Sequence, residues 1–139
     1  MTEATVLRLP RALVQRLLAH AQSEPEREVC GLIGARGGRA ASLYPLRNAA
    51  PDPERAFLLD PAGQIAAQKT MRARGETLLA VYHSHPQAAA EPSTRDLDEA
   101  RHAGVLMLIV SLGTRGVLEL RAWRPGPDGA EPVAVELAD

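Results

Sequence analysis

With 139 residues, 45% of them apolar, the chain has the size and composition of one globular domain with its own hydrophobic core and no need of a second. Basic and acidic residues, 16 and 17 of them, are mixed along the chain for a formal charge of -1, which removes the electrostatic case for nucleic acid or an anionic membrane as main partner. A lone cysteine excludes an internal disulfide, Val105 to Val110 is too short an apolar run to span a bilayer, and the polar start Thr2-Glu3 lacks the pattern of a secretory signal, so the chain reads as soluble and cytoplasmic.

In chain order, Thr5 to Leu9 reads as a short strand, and Pro10 opens a helix at the position where a missing backbone donor does no harm. Leu13, Val14, Leu17, Leu18 and Ala21 share one face of that helix, which predicts core packing and no chemistry. His20 lies at the edge of the face, where a lone histidine is far more often packed or solvated than a ligand. Glu28 to Ala35 is predicted as a buried strand, and Arg36-Gly37-Gly38-Arg39 turns it into a second strand ending near Leu46. Cys30 falls inside the buried strand, a setting in which cysteine behaves as an inert small apolar residue.

Asn48 to Glu54 has the composition of a surface loop, and Ala56 to Leu59 that of a brief strand. Asp60-Pro61 caps a helix expected to run to about Arg74 and to stop at Gly75. The apolar run from Leu78 to Tyr82 leads into a histidine pair, then a loop from Gln87 to Pro92 and a helix from Ser93 to His102. Val105 to Leu112 and Val117 to Trp123 are strands joined by a turn at Gly113 to Gly116; after a turn at Pro125 to Gly129, Pro132 to Leu137 alternates as a final edge strand. The sum is an α/β fold built around one sheet, without an internal repeat or linker.

His83 and His85 are two apart at the end of a strand, and a strand repeats every two residues, so both imidazoles project from one face. Asp96, near the start of the following helix, can turn back toward the strand end as the third ligand of a zinc ion whose fourth position stays open for water. Such an ion lowers the pKa of its water to about 7, which points to hydrolysis. A proton acceptor that is not a ligand is still required, and Glu24, Glu26, Glu28, Glu54 and Glu91 qualify by type. Glu28 is best placed, because it borders a buried strand that can lie beside the histidine strand. Ser93-Thr94-Arg95-Asp96 also matches a helix capping box, which alone would explain both residues. The Ser93 hydroxyl could equally donate to the oxygen that turns negative when a carbonyl is attacked.

His83-Ser84-His85-Pro86, with Ser93 and Asp96 at their fixed distances beyond it, resembles the full metal signature of the JAMM or MPN-plus metalloprotease family. Glu28-Val29-Cys30-Gly31-Leu32-Ile33-Gly34 is similar to that family's upstream block, in which a glutamate before a glycine-containing strand is the catalytic base. The resemblance implies that His83, His85 and Asp96 bind zinc, that Glu28 takes the proton from the metal-bound water, and that Ser93 stabilises the oxyanion. It implies a single JAB/MPN domain over residues 1–139, with a mixed, mostly antiparallel curved sheet and about three helices in a cytidine-deaminase-like arrangement. Ser84 belongs to the motif, but alternation points it to the opposite face and assigns it no chemical step.

By the same resemblance, the substrate is an amide bond at the Gly-Gly tail of a ubiquitin-like sulfur-carrier protein, the class cut by the family's compact bacterial branch. Loops Asn48 to Glu54 and Gln87 to Pro92 would then wall the groove for that tail. Two other classes compete. A non-catalytic MPN scaffold would bind proteins without metal, but such modules normally lack motif residues that are all present here. A mononuclear non-haem iron enzyme also uses two histidines and a carboxylate, yet the ligand order and Glu28 fit hydrolysis better.

Overall fold

The computed structural model describes residues 6–103, 105–113 and 118–138. Its elements in chain order are β1 (Val6–Pro10), α1 (Arg11–Ser23), β2 (Cys30–Arg36), β3 (Arg39–Leu46), α2 (Pro61–Ala73), β4 (Thr77–His85), α3 (Thr94–Ala103), β5 (Leu106–Ser111), β6 (Glu119–Gly126) and β7 (Gly129–Ala138). The seven strands form one sheet in the order β1-β7-β6-β5-β4-β2-β3. Pairs β4/β5 and β1/β7 are parallel and the others antiparallel, so the expected mixed, mostly antiparallel sheet with three helices is what forms. Among the described residues no helix is long and apolar enough to cross a membrane.

Alternation along the strands decides what each face meets. Leu13, Val14, Leu17 and Ala21 of α1 pack with Ile33, Leu43, Tyr82, Leu108 and Val110 on one face. On the other, Ala67 and Met71 of α2 pack with Cys30, Leu32, Val81, Phe57 and Leu59. Burying a side chain such as Leu17, which is fully inaccessible, stabilises the fold by about 2 kcal/mol. His83 and His85 continue the parity of Val81 and emerge beyond the α2 cluster, whereas Ser84 follows Tyr82 toward the α1 face.

The hairpin and the second helix form as the sequence directs. Gly37 and Gly38 take positive φ at the β2–β3 turn; Asp60 accepts from the Gly63 amide at 3.2 Å, and Gly75, at φ +71, follows the end of α2. Gly31 has a packing reason instead. A Cβ there would lie 2.4 Å from the Tyr82 ring and 2.5 Å from the Tyr44 carbonyl oxygen, so this position near the start of β2 admits no side chain.

Three expectations need correction. β7 is not the sheet edge, because β1 pairs with it in parallel from Val6↔Ala134 to Pro10↔Ala138, leaving β1 and β3 as the edges. Its alternation reported a half-exposed face, not an unpaired side. Ala56 to Leu59 forms no strand beyond a single bridge, Asn48↔Leu59, since the Asn48 side chain takes the Ala56 carbonyl and the Leu58 amide that a ladder would use. β6 and β7 are also longer than expected, running to Gly126 and from Gly129, so the turn shrinks to Pro127-Asp128. Thr5 and the expected strand start at Val117 lie outside the described residues, as do residues 114–116 of the preceding turn.

Candidate metal centre and active site

The end of β4 brings the two imidazoles together. His83 Nε2 lies 3.1 Å from His85 Nε2, and Asp96 Oδ2 lies 3.1 Å from the first and 3.0 Å from the second. All three residues are buried, His83 completely. Asp96 reaches this point because Ser93 starts α3 with a reciprocal cap. The Asp96 amide donates to Ser93 Oγ at 3.1 Å, and the Ser93 amide donates to Asp96 Oδ2 at 2.9 Å.

This donor set fits a metal ion. His85 Nδ1–H donates to the Ala89 carbonyl at 2.7 Å, which leaves Nε2 with a bare lone pair facing a carboxylate oxygen and a second imidazole nitrogen. Two imidazole nitrogens and a carboxylate oxygen at the corners of a triangle with 3.0–3.1 Å edges need a cation or protons between them. A tetrahedral ion with bonds near 2.0 Å sets its ligands about 3.3 Å apart, close to these edges.

Electrostatics agree with the geometry. Where protons rather than a cation lie in that triangle, burial pushes the Asp96 carboxyl up, but hydrogen bonds from His83 and His85 outweigh it and hold the group well below the carboxylate range. His83 is pushed down, chiefly by burial. His85 is also penalised by burial, yet Asp96 and the Ala89 carbonyl raise it above its ordinary value.

Glu28, just before β2, offers an oxygen within 4.8 Å of the ligand atoms of all three residues. Its Oε1 is buried with no hydrogen-bond partner among the described residues. Burial raises its carboxyl to about 7, with His85 opposing and Asp96 adding to the shift. A carboxyl poised near neutrality can both accept and return a proton. Antiparallel pairing of β2 with β4, Cys30 opposite His83, creates this proximity across 55 residues of chain.

All five sequence-predicted site residues therefore meet at one place, Ser93 as the cap of the helix that carries Asp96. Glu24, Glu26, Glu54 and Glu91 are not in the cluster. Cys30 is buried, with Sγ against the Leu46 and Arg47 carbonyls, and His20 is bonded to the Tyr82 hydroxyl at 2.8 Å, the packed role expected of each.

Sequence reasoning missed the residues that hold the site in place. Ser84 Oγ accepts from the Val29 amide at 2.9 Å, and the Ser84 amide donates to the Val29 carbonyl at 3.0 Å, so the motif serine grips the segment beside Glu28. The Glu28 amide donates to Pro53 O at 2.7 Å, and Asn48 Nδ2 donates to both Glu28 O (2.8 Å) and Ala56 O (2.9 Å). Phe57 stacks on His83 with ring centroids 4.3 Å apart. Three successive carbonyls of the loop after β4 are also fixed: Ala88 by Ser111 Oγ, Ala89 by His85 and Ala90 by Trp123 Nε1. The one available signal was Trp123, a lone tryptophan whose N–H needs a partner when buried.

A curved mixed sheet closes two imidazoles and two carboxylates into one buried cluster that could hold a metal ion, the arrangement of a candidate hydrolase site. The sequence profile of prokaryotic homologs of the JAB domain matches residues 10–126, and the chain belongs to that family. It is 39% identical over 132 residues to a probable TtuB-protein conjugate cleaving protease of Thermus thermophilus, covering 95% of this chain and 84% of that protein. To the CysO-cysteine peptidase of Mycobacterium tuberculosis it is 32% identical over 135 residues, covering 94% and 91% of the two chains. Among solved structures, a protein from Desulfitobacterium hafniense superimposes with a TM-score of 0.85 at 31% identity, covering 96% of this chain and 93% of that one.

Proposed function

We propose that the protein is a zinc-dependent peptidase or isopeptidase that hydrolyses an amide bond at the Gly-Gly tail of a ubiquitin-like sulfur-carrier protein. The observation that carries this reading is the triangle of His83, His85 and Asp96 at 3.0–3.1 Å, with the buried Glu28 carboxyl beside it, whose Oε1 has no hydrogen-bond partner among the described residues. Relatives named for cleaving a TtuB-protein conjugate and for a CysO-cysteine peptidase activity support the substrate class.

His83, His85 and Asp96 would hold the ion, which would supply Lewis acidity toward both water and the scissile carbonyl. Glu28 accepts the proton of the attacking water and returns it to the departing nitrogen. Ser93 Oγ already accepts from the Asp96 amide, so its O–H is the part left to donate to the developing oxyanion. An extended Gly-Gly tail suits the site, because glycines let a backbone pass a narrow constriction.

The zinc-loaded protein is expected to cut Gly-Gly-tailed ubiquitin-like proteins carrying a C-terminal extension, with mass spectrometry of the products locating the bond after the second glycine. Intact substrates after prolonged incubation with the loaded enzyme would reject the assignment. Ser93→Ala is expected to lower kcat by roughly 10- to 1000-fold and to weaken the α3 cap by about 1 kcal/mol. A stability loss without a change in kcat would confine Ser93 to capping.

A further inference from the structure

Beside the cluster lies a cavity of about 640 Å³ whose walls include Glu26, Glu28, Glu54, Arg55, His85 and Gln87. His83 and Asp96 are not part of those walls, so the cavity leads away from the cluster on its Glu28 side. We propose that this cavity receives the amine half of the cleaved amide, and that Glu26 and Glu54 select a leaving group with positive charge close to the scissile nitrogen. The inference rests on the peptidase reading above and adds the chemistry of the half that departs.

Proton bookkeeping locates the leaving group. In hydrolysis the water oxygen bonds to the acyl carbon, the carbon–nitrogen bond breaks, and the nitrogen leaves as an amine after gaining the proton that the water gave up. Glu28 is the carboxylate of the cluster outside the His83, His85 and Asp96 triangle, and its Oε1 is buried without a partner among the described residues. Because Glu28 lines the cavity, the nitrogen must approach from there to be protonated.

Charge at the mouth gives the selectivity. Glu26 and Glu54 are both exposed and face a single guanidinium among the lining residues, that of Arg55. Part of Arg55's field is directed to Asp52, which a 3.2 Å hydrogen bond from Arg95 and the nearby Arg55 charge keep ionised below the usual range. The rim is therefore net acidic. A glutamate in the leaving group would add like charge to it, whereas a lysine or arginine would neutralise it. Exposed charge pairs of this kind change affinity by about 2- to 5-fold each and fade with salt.

The test uses zinc-loaded protein and three substrates with the same Gly-Gly-ended acyl part, whose leaving residues are lysinamide, glutaminamide and glutamic acid amide. At low salt, kcat/KM is expected to fall in that order by about 2- to 5-fold per step and to converge near 1 M salt. The double variant Glu26→Lys/Glu54→Lys, altered only at exposed positions, should reverse the order. Equal rates for the three substrates, or an unchanged order in the double variant, would overturn the proposal while the peptidase reading stands. No cleavage of any of them would remove that reading and this proposal with it. Apart from turnover, lysinamide added to the metal-free protein should shift the amide resonances of Glu54, Arg55 and Gln87 more than glutaminamide does, and equal shifts count against the proposal.

Discussion

Glu28→Gln is expected to keep its metal and to lose turnover by about 10⁴-fold, the upper range of what a positioned general base contributes. The exchange preserves shape and leaves the three ligand atoms in place, but it removes the proton acceptor. It should also show an opposite signature in stability. Burial raises the Glu28 carboxyl from 4.5 to about 7, with His85 opposing and Asp96 reinforcing. The folded protein thus holds a proton that the unfolded chain releases near 4.5, so this group's contribution is fully present below that pH and is lost as pH rises through about 7. Relative to Glu28→Gln, the metal-free wild type should weaken between those two pH values, read from denaturation midpoints across a pH series. Full activity in the variant, or parallel stability curves, would assign the proton transfer and the buried charge elsewhere.

His83→Ala and Asp96→Ala are expected to lose the metal itself. Loss of an outer-shell partner already weakens metal sites by about 10- to 100-fold, so removal of a ligand should exceed 100-fold, measured by elemental analysis and chelator competition. The two variants should differ when metal-free. Asp96→Ala also strips the acceptor of the Ser93 amide at the start of α3, adding about 1 kcal/mol of instability, while His83→Ala opens a void beside Phe57. Stoichiometric zinc in either variant would show that the triangle is not the binding site.

What could be read in advance followed the range of each interaction. The parity of His83 and His85, the capping box around Ser93 and the Gly37-Gly38 turn are local, so sequence spacing alone determines them. Glu28 is different. Its place beside the histidines depends on β2 pairing with β4, which spacing does not encode; bordering a buried strand made it the best placed of five glutamates, and the resemblance to a known signature strengthened that choice. The misplaced edge has the same origin: β1 joins β7 across nearly the full chain, and alternation in β7 reveals which side chains are buried but not what lies alongside. Asn48 looked like a loop residue because its surroundings are rich in proline and alanine. Its four hydrogen bonds, to Glu28, Ala50, Ala56 and Leu58, exist only once the loop folds around it. Ser84 was correctly pointed away from the histidines, but its bonds to Val29 depend on the same strand pairing.

The fixed carbonyls of Ala88, Ala89 and Ala90 have a consequence for whatever enters. A collar tethered at three consecutive points has little freedom left to mould itself, so adaptation falls to the guest. A slender, unstructured chain end can thread such an opening by giving up its own disorder, whereas a rigid surface loop of a folded protein would have to unravel first. On the proposed peptidase reading, stiffness there would sieve for floppiness, favouring tails and sparing compact bodies.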